Sequence, residues 1–172
     1  MEIVDIYNAD GSLTGKTTDR EAPLKPGEYI MAVGMWVVTP ENKILLTKRS
    51  PQKKYAPNLW ENTGGHVDAG ESCLDAVIRE LREETGLEAR PGDILYLGDA
   101  GAVGHYLGKN YLVRMAVSPG QVRLQEGETC DAKLVTYEEF QGMAAGGELA
   151  PSVVTHLEGY KEAFLKALGI KK

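Results

Sequence analysis

Three glutamates, Glu80, Glu83 and Glu84, stand at i, i+3 and i+4, with Arg79 directly before the first and Glu71 a short distance upstream. At about 100° per residue on a helix, their side chains fall within an arc of about 100°, which would aim three carboxylates at one small volume. Like charges at i,i+4 destabilise an isolated helix by about a few tenths of a kcal/mol, so the pattern asks for a cation. A hard divalent ion such as Mg²⁺ meets that need, because it prefers carboxylate oxygens, keeps several waters and completes its shell with phosphate oxygens. An acidic protein can bind an anionic ligand in this way. Taken alone, the same glutamates also fit a solvated acidic helix face partly neutralised by Arg79 and Arg82.

The helix that would carry them is marked at both ends. Ser72 with Asp75 predicts an N-cap and Gly86 a left-handed C-terminal residue, so the helix is expected over residues 73–85. Leu74, Ile78, Leu81 and Thr85 supply a stripe to bury, with the glutamates turned away from it. Upstream, residues 2–7 and the resumption at Leu13 predict a hairpin within an N-terminal part of residues 1–27. Residues 29–38 read as a buried central strand, residues 43–48 as its hairpin partner, residues 50–58 as a loop and residues 59–67 as a strand running through Gly64 and Gly65. Residues 94–98, 108–117 and 133–137 read as further strands, and residues 126–131 as a polar loop. A short helix is expected to begin near Tyr137, and Pro151 to start one last amphipathic helix over 151–170, burying Val153, Val154, Leu157, Phe164, Leu165 and Leu168. The mixture indicates a layered α/β or α+β fold.

With 42% hydrophobic and 26% charged residues over 172 positions, the chain is expected to form one globular domain, 1–172, whose core spans 28–140. A formal charge of −6 argues against nucleic acid as a broad surface partner. No apolar run reaches the length of a signal peptide or membrane span, so a soluble cytoplasmic protein with no membrane partner is expected. Cys73 and Cys130 form no CxxC pair and read as free thiols. The one basic cluster is Lys48, Arg49, Lys53 and Lys54, which fits either a solvated loop or a phosphate contact.

The flanking residues add a stronger signal. Gly65, Glu71, Arg79, Glu80, Leu81, Glu83, Glu84, Gly86 and Leu87 match G-x5-E-x7-R-E-U-x-E-E-x-G-U, with U a bulky aliphatic residue. This stretch resembles the Nudix box, and every fixed position is filled. The resemblance implies an α/β/α sandwich with a central mixed β-sheet, and Mg²⁺-dependent hydrolysis of a diphosphate linkage in a small substrate. Such a substrate would be a nucleoside diphosphate linked to a second group, and Mn²⁺ would be a usable substitute ion. The resemblance also implies metal ligands at Glu80, Glu83, Glu84 and the carbonyl of Gly65, with Arg79 and Glu71 orienting them. Glu83 or Glu84 is the favoured base, with Glu126 and Glu128 as alternatives outside the box. Arg49, Lys54 and Tyr55 are the candidate substrate contacts, whereas Trp36 and Trp60 read as scaffold. A homodimer is compatible with this resemblance.

Asp5-Ile6-Tyr7, Gly11, Thr14-Gly15 and Arg20 are similar to the opening of Nudix proteins of the isopentenyl-diphosphate isomerase kind. That isomerase carries a cysteine after a Trp-x-Asn-[Ser/Thr] segment. Here Trp60-Glu61-Asn62-Thr63 runs into Gly64-Gly65, without one, which disfavours isomerisation. The expectations are therefore a hydrolase first, an isomerase or a non-catalytic binding module second.

Overall fold

The computed structural model describes residues 1–171. The apolar strand foreseen near the N-terminus is β3 (Ile30–Val38), and its two faces feed two separate cores. Alternation with period two sends Met31, Val33, Met35 and Val37 to one side and Trp36 and Val38 to the other. A strand covered on both faces reads as a nearly continuous apolar run, which is why it was legible.

Helix α1 (Cys73–Thr85) covers the first face, packing Ala76, Val77 and Leu81 against the odd-numbered residues of β3. Helices α2 (Tyr137–Ala145), α3 (Pro151–Glu158) and α4 (Lys161–Ala167) cover the second. Between them lies one mixed sheet, so the architecture is an α/β/α sandwich. In it β8 (Tyr106–Arg114) runs parallel to β3 along its whole length, and β7 (Ile94–Asp99) is antiparallel beyond β8.

Several sequence expectations need correction, among them the burial of Val154, which is exposed, and the polar loop over 126–131, which gives way to strand at Thr129. Residues 43–48, now β4 (Ile44–Arg49), meet β3 at one register position only, Val38 with Ile44. The two strands then splay, and β4 takes β9 (Thr129–Val135) as its long partner. Residues 59–67 are not one strand: β5 (Trp60–Glu61) pairs with β4, whereas β6 (Thr63–His66) pairs with β3. The chain crosses the splay at Asn62, because neither flanking strand can serve both halves. The buried stripe of α1 is Ala76, Val77, Leu81, Glu84 and Thr85, with Leu74 and Ile78 only half-buried. Its inward direction is rotated by roughly 60° from the expected one. Finally, the C-terminal helix is broken into α3 and α4 at Gly159 and Tyr160. A Cβ at Gly159 would stand 2.8 Å from the Asp99 carbonyl oxygen, so the chain turns directly against the end of β7.

That turn drives Tyr160 inward, where its hydroxyl accepts a hydrogen bond of 3.0 Å from Trp36 Nε1. Trp36 also packs edge-on to Phe140 at 5.6 Å and against Phe164 at 4.6 Å, joining α2 and α4 to β3. Tyr160→Phe leaves the buried indole donor unsatisfied and is expected to cost about 1–2 kcal/mol, read as a lower midpoint in urea unfolding.

The N-terminal hairpin forms as expected from β1 (Ile3–Tyr7) and β2 (Leu13–Asp19). It braces the loop that enters α1: Ala69 N–H donates to the Ile3 carbonyl at 2.9 Å and Gly70 N–H to Asp5 Oδ2 at 2.7 Å. Among the described residues, no helix is long and apolar enough to cross a membrane.

Candidate active site

Helix α1 has the predicted caps. The Ser72 hydroxyl accepts from Asp75 N–H, and Gly86 adopts φ 70° while its N–H closes on the Arg82 carbonyl. Strand β6 fits tightly between β3 and α1 because two of its residues lack side chains. A Cβ on Gly64 would lie 2.4 Å from the Val33 carbonyl oxygen, and one on Gly65 would lie 2.2 Å from the carboxyl carbon of Glu80. Gly65 therefore makes the space that Glu80 occupies, whereas Gly64 lets β6 lie tight against β3.

Arg79 organises the acids around it. Its Nε and Nη2 grip the two oxygens of Glu71 at 3.0 and 2.9 Å, Nη2 also donates to the His66 carbonyl at 2.9 Å, and Nη1 reaches Glu80 at 2.9 Å and Glu83 at 3.3 Å. A fork that holds one carboxylate with two parallel bonds fixes direction as well as charge. Hydrogen bonding from Arg79 holds the Glu71 carboxyl below its ordinary value.

The glutamates differ sharply in environment. Glu84 is 8% exposed and accepts from Gly64 N–H at 3.2 Å. Burial, then the neighbouring Glu61 and Glu80, push its carboxyl well above the ordinary range. Burial raises Glu80 too, with Arg79 opposing. Glu83 stays at the rim, 42% exposed. The three carboxylates thus meet different surroundings along one side of α1. Among the described residues, no three His, Cys, Asp or Glu side chains close around a common centre. Arg79 draws Glu83 aside, whereas Glu84 turns into the gap beside Gly64.

Glu61 was not foreseen. It lies on β5 facing the same gap, raised by burial, and Arg49 Nη1 donates to both its oxygens at 2.8 and 2.9 Å. Its only sequence signal is an acid lodged between Trp60 and Asn62, which does not separate it from a solvent-facing residue. Arg49, expected as a phosphate contact, is thus engaged by Glu61 within the chain. Its Nε donates to the Tyr55 carbonyl at 2.9 Å and its guanidinium lies 5.4 Å from the Tyr55 ring centre. Tyr55 in turn accepts from Ser152 N–H at 3.0 Å, at the start of α3. Arg49 and Tyr55 thus pin the loop, and Lys54 stays exposed on it. Trp60 is buried beneath Lys48 and Lys133, consistent with scaffold. Of the outer acids, Glu128 pairs with Lys53 and contributes to the field at Glu61 and Glu84, whereas Glu126 is exposed.

The NUDIX domain profile matches residues 28–156, which takes in β3, the box and most of α3. The chain belongs to the Nudix family. A Nudix hydrolase of Listeria monocytogenes is 30% identical over 156 residues, covering 88% of this chain and 89% of that protein. With that relative, this Nudix chain is an enzyme, a hydrolase of the pyrophosphohydrolase kind. The isopentenyl-diphosphate Delta-isomerase of Escherichia coli is 35% identical over 96 residues, covering 55% of this chain and 53% of the isomerase. A crystal structure from Deinococcus radiodurans superposes with a TM-score of 0.77 at 20% identity, covering 95% of this chain and 99% of that one, which supports the fold. The Nudix box thus occupies β6, the hairpin-braced loop and α1.

Proposed function

We propose that this protein uses Mg²⁺ to hydrolyse a diphosphate linkage in a small substrate in which a nucleoside diphosphate is joined to a second group. The observation that carries this reading is the buried carboxylate of Glu84 beside the largely shielded one of Glu80, set against the side-chain-free backbone of Gly64 and Gly65. Buried acids with raised pKa values are costly as anions unless a cation compensates them. An all-oxygen donor set suits a hard ion, with Glu80, Glu83, Glu84 and the Gly65 carbonyl as the residues that would hold it; Mn²⁺ fits the same donors. When bound, such an ion neutralises phosphate oxygens and lowers the pKa of a coordinated water.

The chain's own residues do the rest. Arg79 and Glu71 keep Glu80 and Glu83 in place through the bonds described above. Glu83, at the exposed rim, and Glu84, beside the Gly64 N–H, are the two groups within the box suited to take a proton from water. Lys54 is free in solvent to meet an outer phosphate, and Arg49 with Tyr55 shapes the loop that carries it. The hairpin, core and C-terminal helices act as one domain in this scheme. Gly64 and Gly65, where the isomerase resemblance would require a cysteine, favour phosphate cleavage over isomerisation.

The test is a panel of nucleoside diphosphate conjugates and prenyl diphosphates incubated with Mg²⁺ and resolved by mass spectrometry. Phosphate-ended products that vanish on adding a chelator are expected. Interconversion of prenyl diphosphate isomers, or binding without any product, refutes the proposal.

A further inference from the structure

On the sheet face opposite α1, the hydrophobic core gives way to a cavity of about 150 Å³ between the strands β3 and β8 and the helix α3. Its floor is backbone at Gly34 and Gly108, its polar side chains include Asn62 and Asn110, and His156 stands on the helix wall. Glu61 and the Gly64–Gly65 backbone also line it. The same segment that faces the carboxylates of α1 therefore borders this cavity.

Three properties restrict the ligand. The first is size: an engineered protein cavity of about 150 Å³ accommodates one benzene ring, so a six-membered ring fits and a fused second ring must protrude. The second is shape. Without side chains at Gly34 and Gly108 the floor is flat; a Cβ at Gly34 would come within 2.7 Å of Asn110 Oδ1 and 3.1 Å of Asn62 Nδ2. The third is polarity. Asn110 is only 4% exposed, yet its amide nitrogen has no hydrogen-bond partner, and Asn62 Nδ2 makes only a long 3.4 Å contact with the Met35 carbonyl. Buried amides in this state favour a ligand that brings its own acceptors and disfavour an aliphatic chain. Burial lowers the His156 pKa, leaving a neutral imidazole on the wall.

We propose that this cavity receives the single, planar, hydrogen-bonding ring of a pyrimidine nucleotide, and that Asn110 determines the preference for it over a purine or a prenyl chain. The proposal rests on the diphosphate-hydrolase reading above and names its substrate class. Turning or shifting the Asn110 amide by a small amount satisfies it against a ring carbonyl, as carboxamide side chains do with base edges.

Two measurements on the full chain test it separately from turnover. Calorimetric titration with UMP, CMP and AMP should give at least about tenfold tighter binding of the pyrimidine nucleotides. Hydrolysis of UDP-, CDP- and ADP-glucose in Mg²⁺ should show the same order in kcat/KM. Asn110→Leu keeps the volume but removes the unpaired amide. It should raise KM for the UDP and CDP substrates about tenfold, raise it less for ADP-glucose, leave kcat within about twofold and melt no lower than the parent. Asn110→Ala serves as the second variant should the leucine fail to pack. Equal or tighter binding of AMP, glucose binding without the nucleotide, or an Asn110 variant that weakens all three substrates alike with a lower melting point overturns the proposal. Failure of every conjugate to be hydrolysed defeats the hydrolase reading instead, and the UMP, CMP and AMP titrations still decide this one.

Discussion

Glu84→Gln is expected to lower turnover at least about a hundredfold while the metal-free protein melts no lower, and at neutral pH higher, than the parent. The two effects have one source. Glu84 is buried beside Glu61 and Glu80, and its carboxyl is raised well above the ordinary value of 4.5. A group whose folded-state pKa lies above its unfolded one stabilises the fold below the unfolded value and loses that contribution as pH rises through the folded one. The metal-free parent should therefore lose stability as pH rises above the ordinary carboxylate range, with Glu80 and Glu61 adding in the same sense. Glutamine keeps the acceptor for Gly64 N–H and removes the ionisation, so the slope should flatten. Added Mg²⁺ should restore the parent at the alkaline end and do less for the variant. Glu83→Gln is the contrast: it should lose activity similarly but leave the melting curve nearly unchanged, because Glu83 stands at the rim. Melting curves in chelator against pH, with and without Mg²⁺, read all of this. A Glu84→Gln enzyme with near-parental turnover removes the residue from the reaction.

Arg79→Ala is expected to be damaging to both fold and catalysis. The guanidinium is 22% exposed and bonds Glu71, Glu80, Glu83 and the His66 carbonyl at once. Its removal leaves Glu71 and Glu80, both largely shielded from water, without their counter-charge. A loss of about 2–4 kcal/mol in urea unfolding is expected, together with a fall in kcat of at least about a hundredfold. The acid side offers a second readout. Glu71 is held below its usual range by Arg79, a stabilisation present above the ordinary carboxylate value and lost as pH falls through the depressed one. That part of the acid sensitivity should disappear in the variant. Arg79→Lys keeps the charge but not the two-pronged grip on Glu71, and should recover stability better than turnover. Full turnover in Arg79→Ala would leave the arginine a purely structural brace.

Several features were readable from residue order because their causes lie close together along the chain. Ser72, Asp75 and Gly86 mark the ends of α1 by hydrogen bonds and a left-handed φ that involve only near neighbours. The apolar run of β3 follows from burial on both faces, and Pro151 starts α3 because its missing N–H is not needed there. The filled box at residues 65–87 raised the expectation of one site from the glutamates, Arg79 and Gly65, and folding sets Glu80 against both Arg79 and Gly65.

Long-range packing decided the remainder. Helical periodicity states which residues share a side, but not which side meets the sheet. Because Gly65 leaves room for the Glu80 carboxylate and Gly64 offers its N–H to Glu84, these two acids turned inward and Leu74 and Ile78 moved toward the edge. The splay of β3 from β4 put Glu61 beside Glu84 and within reach of Arg49, three residues drawn from separate strands and a helix. The break at Gly159 depends on its approach to Asp99, and the cavity beside Asn110 exists only where two strands and α3 fail to fill the space between them. Each of these is set by surfaces distant in the chain that meet only after folding, so no local pattern of residues encodes them.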